Sequence, residues 1–294
     1  MRVRKGIILA GGSGTRLYPA TAGLSKQLVP VYDKPMIYYP ITTLMQAGIR
    51  DIAIINRPED INHFQRFLGD GSQWGLSFTY IPQLNPDGLA QAFVLAENFL
   101  GGSPSTLVLG DNIFYGQGFQ SKLSTAYENM DVATIYGHTV DKPERFGVLG
   151  FDDKGRVNAI VEKPSVPASN YAVTGLYFVD STAPSRAKEI KPSPRGELEI
   201  TDLLESYLED SLLEAITIDS DFTWFDTGTH ENLLDASIFI KDLQENQNIM
   251  LGCPEEIALT KGWIDKEELE KQIHSLPSNA YGNFLRSIIM KESC

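Results

Sequence analysis

Short apolar runs bounded by glycine, proline and polar clusters recur along most of the chain. Gly6-Ile7-Ile8-Leu9, Asp51 to Asn56, Phe78 to Ile81, Thr106 to Asn112, Val132 to Gly137 and Tyr171 to Phe178 each read as buried strands. Longer helical stretches separate the first four. One opens at Lys34-Pro35 with proline in its first turn and stops near Gly48; others run from about Asp60 to Leu68 and from Leu89 to Ala96. Strands that alternate with helices predict a parallel sheet. Beyond about Gly137 the segments shorten: Glu144 to Leu149, a turn at Asp152-Asp153-Lys154-Gly155, then Val157 to Val161. These predict a smaller antiparallel layer. Arg195-Gly196-Glu197-Leu198-Glu199-Ile200-Thr201-Asp202 reads as a helix start whose acids support its N-terminus. Trp224 to His230 carries the last strand end, and from Glu231 the pattern is helical, with amphipathic segments around Lys266 to Ser275. The expected fold class is α/β: a Rossmann-like, mostly parallel sheet with helices on both faces, the antiparallel layer, and a helical C-terminal segment. The expected units are 1–230, with halves of about 1–137 and 138–230, and 231–294.

A chain of 294 residues supplies a sizeable core without covalent staples. Its net charge of −13 argues against a nucleic-acid partner, which would require basic patches. Cys253 and Cys294 form no metal or redox spacing, Met1-Arg2-Val3-Arg4-Lys5 runs straight into a strand, and no apolar run approaches the ~18 residues of a membrane span. The expectation is a soluble protein of a reducing cytoplasm. In so acidic a chain, basic residues in glycine-rich or strand-end contexts become informative: Arg16, Lys26, Lys163 and Arg195.

The stretch after the first strand, Gly11-Gly12-Ser13-Gly14-Thr15-Arg16, has three glycines in four positions. Such a turn permits positive φ and lines up N–H groups as an anion nest, and a guanidinium fork suits phosphate. A tight β–α connection with a solvated arginine is the alternative. A dinucleotide fingerprint is excluded because Leu17 stands where the third glycine belongs, and a Walker loop because Thr-Arg follows the glycine.

Open α/β sheets bind ligands outside the carboxyl ends of their strands. The glycine loop, Gln83 to Gly88 and Asp111 all fall at such ends. Individually each has a plain explanation: Gly88 as a helix N-cap, Asp111 as a turn cap, Lys26 as a surface lysine, Glu162-Lys163 as an exposed ion pair. The glycine loop, Gln83 to Gly88 and Asp111 nevertheless converge on one rim, where a hard cation beside phosphates would want carboxylate oxygen such as that of Asp111.

The longer strings resemble the sugar-nucleotide pyrophosphorylases, nucleotidyltransferases that join a nucleoside triphosphate to a sugar 1-phosphate. They are I-L-A-G-G-S-G-T-R-L, S-K-Q-L, Y-D-K-P-M-I-Y-Y-P, P-D-G-L-A-Q-A-F, L-G-D-N-I-F-Y-G, P-E-R-F-G-V, E-K-P, N-Y-A-V-T-G-L-Y, R-G-E-L-E-I-T-D and W-F-D-T-G-T-H, in that order from Gly6 to about Gly262. The resemblance implies that dTTP and glucose 1-phosphate become dTDP-glucose and pyrophosphate, a step towards dTDP-rhamnose, with Mg²⁺ as cofactor. Gly11, Gly12, Gly14, Thr15 and Arg16 would then hold the triphosphate, with Lys26 on its oxygens. Gln27, Gln83 and Gly88 would face the base and deoxyribose, with Asn112 beside the metal-binding pair Asp111 and Asp226. Gly147, Glu162, Lys163, Val173 and Arg195 would hold the sugar phosphate, which makes Arg16, Lys26, Lys163, Asp111 and Asp226 the catalytic set. By the same likeness 1–137 is the nucleotide half and 138–230 the sugar-phosphate half. Tyr115-Gly116 and Cys253-Pro254-Glu255-Glu256 resemble segments near a second, regulatory nucleotide site in homotetrameric members, although Gln117 stands where relatives commonly have histidine. Feedback by dTDP-rhamnose or a thymidine nucleotide would act there. No six-residue repeat announces the acyltransferase extension of some relatives. The other readings are a pyrophosphorylase for UTP or another sugar, and a non-catalytic nucleotide-sugar sensor. The complete set Arg16, Lys26, Asp111 and Asp226 speaks against the sensor.

Overall fold

The computed structural model describes residues 3–218, 222–274 and 276–291; Met1, Arg2, Ser275 and Cys294 lie outside them. The strands are β1 (Lys5–Leu9), β2 (Pro30–Val31), β3 (Lys34–Pro35), β4 (Asp51–Asn56), β5 (Ser77–Pro82), β6 (Ser105–Leu109) and β7 (Asn112–Gly116). Then follow β8 (Ala133–Thr139), β9 (Gly147–Phe151), β10 (Val157–Glu162), β11 (Tyr171–Val179), β12 (Leu213–Ile218) and β13 (Phe222–Asp226). The helices before β8 are α1 (Tyr38–Gln46), α2 (Ile61–Leu68), α3 (Gln91–Leu95), α4 (Glu97–Leu100) and α5 (Phe119–Glu128). Those after it are α6 (Ala183–Glu189), α7 (Ile200–Glu209), α8 (His230–Gln247), α9 (Pro254–Thr260), α10 (Lys266–His274) and α11 (Ala280–Lys291).

Side chains of successive strand residues point to opposite faces, so continuous apolar strands need cover on both. Ile8, Val108 and Phe178 accordingly face one core, with α1, α2 and α5, while Ile7, Leu107 and Tyr177 face the other, with α3, α6 and α7. Nine strands make the central sheet among the described residues, in the path β10-β9-β11-β6-β1-β4-β5, with β8 and β12 joined through β11. β1 pairs in parallel with both β4 and β6, and β4 with β5. The chain runs from β1 towards β5 and then crosses back to β6, so the order reverses between β1 and β6. Gly110 donates to the Leu9 carbonyl at 3.0 Å across this switch point, where two loops diverge and leave a crevice.

The antiparallel part expected from the short segments is β9, β10 and β11, continuous with the central sheet at its edge. A separate ribbon, β7 paired antiparallel with β13, was hidden in the sequence because Leu109-Gly110-Asp111-Asn112 reads as a single strand end. Two boundaries differ from expectation. Lys34-Pro35 does not open a helix: it pairs with Pro30-Val31 as a small hairpin, and α1 begins at Tyr38 with Pro40 in its first turn. Likewise α7 starts at Ile200, so Glu197 and Glu199 precede the helix and serve another purpose. The C-terminal helices α9, α10 and α11 pack on the core under α1. No described helix is long and apolar enough to cross a membrane.

Candidate active site

The glycine loop is built for close approach. Gly14 has φ 64°, a left-handed conformation that Thr21 braces by donating its hydroxyl to the Gly14 carbonyl at 2.9 Å. A Cβ on Gly11 would collide with Oε1 of Gln83. Leu17 is fully buried and anchors the short turn Thr15–Leu17, which leaves Arg16 exposed in the crevice. Its guanidinium lies over Gly228, where a Cβ would stand 2.8 Å from Nη2 and 2.9 Å from an Asp226 oxygen. Lys26, unlike most lysines, is buried, and its ammonium is bonded to the Asp111 carboxylate.

Asp111 and Asp226 come from neighbouring strand ends. The β7–β13 ladder places Asp226 opposite Asn112. Asn112 supports this geometry rather than offering its amide freely: Nδ2 donates to Asp111 at 2.9 Å, while Oδ1 accepts from Trp224 at 2.6 Å and from the Gly175 N–H at 3.1 Å. Burial works to raise the Asp111 carboxyl, but the Lys26 ammonium and the Asn112 hydrogen bond more than offset it and hold the group below its ordinary range. Burial and the negative charge of Asp111 push Asp226 the other way, above the ordinary range, against the pull of Lys26 and Arg16. Two carboxylates in one site therefore sit with unequal proton affinity, and Lys26 serves only one of them directly.

Across the crevice, Glu162 ends β10 and meets Lys163 at 3.1 Å and Arg195 at 3.3 Å. Lys163 has φ 42°, a strained turn for a non-glycine residue, fixed by its N–H bond to the Phe146 carbonyl at 2.9 Å. Arg195 is held by Glu199 at 2.8 Å and Glu197 at 3.4 Å, so those acids clamp an arginine where helix support was expected. The same carboxylates, Glu199 above all, raise the guanidinium further above its already high range.

One cavity of about 440 Å³ unites these groups. Of the residues singled out in the sequence, Gly12, Gly14, Thr15, Arg16, Lys26, Gln27, Asp111, Asn112, Gly147, Glu162, Lys163, Val173 and Asp226 line it. Gly11, Gln83, Gly88 and Arg195 do not. Gln83 and Gly11 face each other beside the loop, and Arg195 stands behind Glu162. Gly88, at φ 110°, packs so tightly on the Leu198 backbone that a Cβ would collide there, so it is no simple N-cap glycine. Leu89, Arg145, Tyr177, Thr201 and Trp224 also line the cavity and were missed. All five stand inside the quoted strings, so the resemblance covered their segments, but no charge or spacing of their own marked them as cavity residues. A second cavity of about 400 Å³ brings Tyr115 and Gly116 together with Cys253 and Glu256.

Paired cations and paired carboxylates at the switch point of an open α/β sheet define a phosphate-handling α/β enzyme. Residues 5–243 match the sequence profile of the family described as "Nucleotidyl transferase". A glucose-1-phosphate thymidylyltransferase of Xanthomonas campestris pv. campestris is 55% identical over 288 residues, 98% of each chain. One of Neisseria meningitidis is 53% identical over 287 residues, covering 98% of this chain and all of the relative (100%). A crystal structure from Bacillus anthracis, in complex with a sucrose, superposes with a TM-score of 0.75 at 42% identity, over 82% of this chain and 96% of that one. The chain belongs to the nucleotidyl transferase family, among the glucose-1-phosphate thymidylyltransferases, and is a nucleotidyltransferase enzyme.

Proposed function

We propose that the protein transfers a thymidylyl group from dTTP to glucose 1-phosphate, releasing pyrophosphate and dTDP-glucose for the route to dTDP-rhamnose. The observation that carries this reading is one cavity with Arg16, Lys26, Asp111 and Asp226 on one wall and Glu162 and Lys163 on the other. The first wall suits a triphosphate: backbone N–H groups of Gly11, Gly12, Gly14 and Thr15 meet its oxygens, and Arg16 and Lys26 offset its charge. The second suits a sugar phosphate, with Glu162 accepting from sugar hydroxyls, Lys163 on the phosphate, and Gly147 and Val173 shaping the floor. Arg195 holds Glu162 in place from behind. Gln27, Gln83 and the Gly88 backbone take the base and deoxyribose side.

Asp111 and Asp226 fit a hard cation, since both offer carboxylate oxygens and the charge of Asp111 makes the proton of Asp226 hard to lose without one. Mg²⁺ held there would screen the phosphates and polarise the transferring group. Among the described residues no group of three or more His, Cys, Asp or Glu side chains could hold a metal. The remaining ligands would be substrate oxygens and water.

The same reading makes 1–137 the nucleotide half, 138–230 the sugar-phosphate half, and 231–294 a regulatory and assembly segment of a cytoplasmic homotetramer. The second cavity would take dTDP-rhamnose or a thymidine nucleotide as feedback ligand. The test is to incubate the pure protein with each triphosphate and each sugar 1-phosphate and measure pyrophosphate. Release that is fastest with dTTP and glucose 1-phosphate supports the proposal; preference for UTP or another sugar overturns its specific form.

A further inference from the structure

Three polar side chains form a relay beside the glycine loop. Gln83, at the carboxyl end of β5, is buried, and its Nε2 donates to Oε1 of Gln91 at 2.7 Å. Gln91, the first residue of α3, donates its own Nε2 to the Asp87 carboxylate at 2.8 Å. The same Gln91 Oε1 also accepts from the Asp87 backbone N–H at 3.3 Å. In this arrangement the orientation of both amides follows from chemistry. A carboxylate only accepts and a backbone N–H only donates, so Asp87 presents one acceptor and one donor to Gln91. Gln91 must therefore turn its NH₂ to the carboxylate and its carbonyl to Gln83. Gln83 must then give its NH₂ to Gln91, which leaves its carbonyl as an acceptor. Oε1 lies directly over Gly11, where a Cβ would collide with it, and among the described residues no donor is bonded to it.

We propose that Asp87 and Gln91 are positioning residues that lock the Gln83 carbonyl towards the nucleobase and thereby select a base with a donating ring nitrogen. The inference rests on the reading above that Gln83 faces the base. Thymine and uracil carry N3–H and complete the bond to Oε1. Cytosine presents a lone pair at N3, so two acceptors would face each other in a buried setting, an arrangement that costs far more than a missing contact. Without the relay Gln83 could rotate its amide by a half-turn and satisfy either base. The device separates thymine and uracil from cytosine, and it leaves the choice between thymine and uracil to other contacts.

The experiment compares steady-state turnover of dTTP and dCTP, at fixed glucose 1-phosphate, by the full-length protein and by two variants. Gln91→Leu frees the Gln83 amide. Its KM for dTTP should rise ~10-fold, and the dTTP-to-dCTP ratio of kcat/KM should fall by ~10-fold or more, the scale of one well-placed polar contact. Its KM for glucose 1-phosphate should stay within about twofold. The double change Asp87→Asn with Gln91→Glu reverses donor and acceptor between positions 87 and 91 but still presents an acceptor to Gln83. It should recover most of the discrimination lost in Gln91→Leu, which a merely structural role of Gln91 would not produce. An unchanged dTTP-to-dCTP ratio in Gln91→Leu, equal losses for both substrates, or a double variant no better than Gln91→Leu each overturns the relay. A wild-type protein that releases no pyrophosphate from dTTP and glucose 1-phosphate overturns instead the substrate reading beneath it.

Discussion

Thr227 bonds the Asp111 main-chain carbonyl twice, through its N–H at 3.0 Å and its hydroxyl at 2.7 Å. Its neighbour Asp226 stands opposite Asn112 across the ladder, so the strand pairing and Thr227 set the two residues beside each other. That main-chain geometry does not depend on the charge of either carboxylate. Asp111→Asn or Asp226→Asn should therefore fold and yet lose nearly all activity, by ~10²-fold or more, if each holds the cation that screens the phosphates. Circular dichroism together with pyrophosphate release checks it; a folded Asp226→Asn enzyme with unchanged turnover and metal requirement would sink the assignment.

The unequal carboxyls give this a pH signature. Asp226 lies above the ordinary carboxyl range because of burial and the neighbouring Asp111 charge. A raised value means that Asp226 takes up its proton first as pH falls, and a protonated carboxyl cannot bind a cation. Activity at limiting Mg²⁺ should therefore fall as pH drops through that raised value. Excess Mg²⁺ should shift the acid limb to lower pH, because metal and proton compete for the same oxygens. An acid limb that stays put as Mg²⁺ is raised tenfold speaks against that competition.

The two walls should separate kinetically. Arg16→Ala and Lys26→Ala should lower kcat by ~10²-fold or more, the scale of lost transition-state charge stabilisation. Lys26 has a further task, because its removal leaves the buried Asp111 carboxylate unpaired, so Lys26→Ala should also lower the melting temperature. Glu162→Ala should mainly raise KM for glucose 1-phosphate, and Arg195→Ala should act in the same direction but more weakly, since Arg195 reaches the cavity only through Glu162. A rise confined to KM for dTTP in Glu162→Ala would put the sugar on the wrong wall.

Arg4 is fully buried and carries no substrate role. Nη1 donates to the carbonyls of Ser105 and Val179 at 2.7 Å each, Nη2 to Asn129 at 2.8 Å and Nε to Tyr127 at 3.3 Å. One side chain thus ties the starts of β1 and β6 to the end of β11 and to the turn after α5. Arg4→Met fills the space but takes the donor from those four carbonyls; with about 1–3 kcal/mol for each buried acceptor left unmade, the loss amounts to several kcal/mol. Calorimetry should show a melting temperature lower by roughly 10 °C, with KM values unchanged at low temperature.

The sequence was most legible where local physics decides the outcome. The apolar runs around Ile7, Ile54 and Val108 read as buried strands, and strand ends define a rim whatever the helices do, so the loop of Arg16 and the carboxylate of Asp111 belong to that rim on sequence alone, while Lys26 joins it only through the resemblance. It was least legible where tertiary contact outweighs local preference. Pro35 suits a helix start equally well, but pairing with Pro30 makes it a hairpin. Glu197 and Glu199 suit a helix N-terminus, but Arg195 claims them. Thr201 and Tyr177 reach the cavity because α7 lies on β10 and β11 spans the sheet, which no spacing along the chain records.

Turnover should proceed by a single in-line displacement with no covalent enzyme intermediate. A nucleotidyl-enzyme needs a positioned nucleophile, and no histidine or cysteine lines the described cavity. His63 lies on α2 and His274 ends α10, both away from the rim. His138 sits between the carbonyls of Thr139 and Phe222, at 2.8 and 3.1 Å, and His230 opens α8 against the Tyr18 carbonyl at 3.2 Å, so both rings are already engaged. Cys253 is buried away from the crevice, and burial pushes its thiol well above the ordinary range, which leaves it inert. The acceptor needs no base, because a sugar phosphate already presents an anionic oxygen. It needs to be held against the α-phosphorus while Arg16, Lys26 and Lys163 offset the repulsion between two anions. Alignment of that kind supplies ~7–11 kcal/mol of a barrier, and charge stabilisation can supply much of the remainder. A chiral α-phosphorothioate of dTTP should therefore react with inversion, and double-reciprocal plots should intersect. Retention of configuration, or exchange of labelled pyrophosphate into dTTP in the absence of glucose 1-phosphate, would refute direct attack.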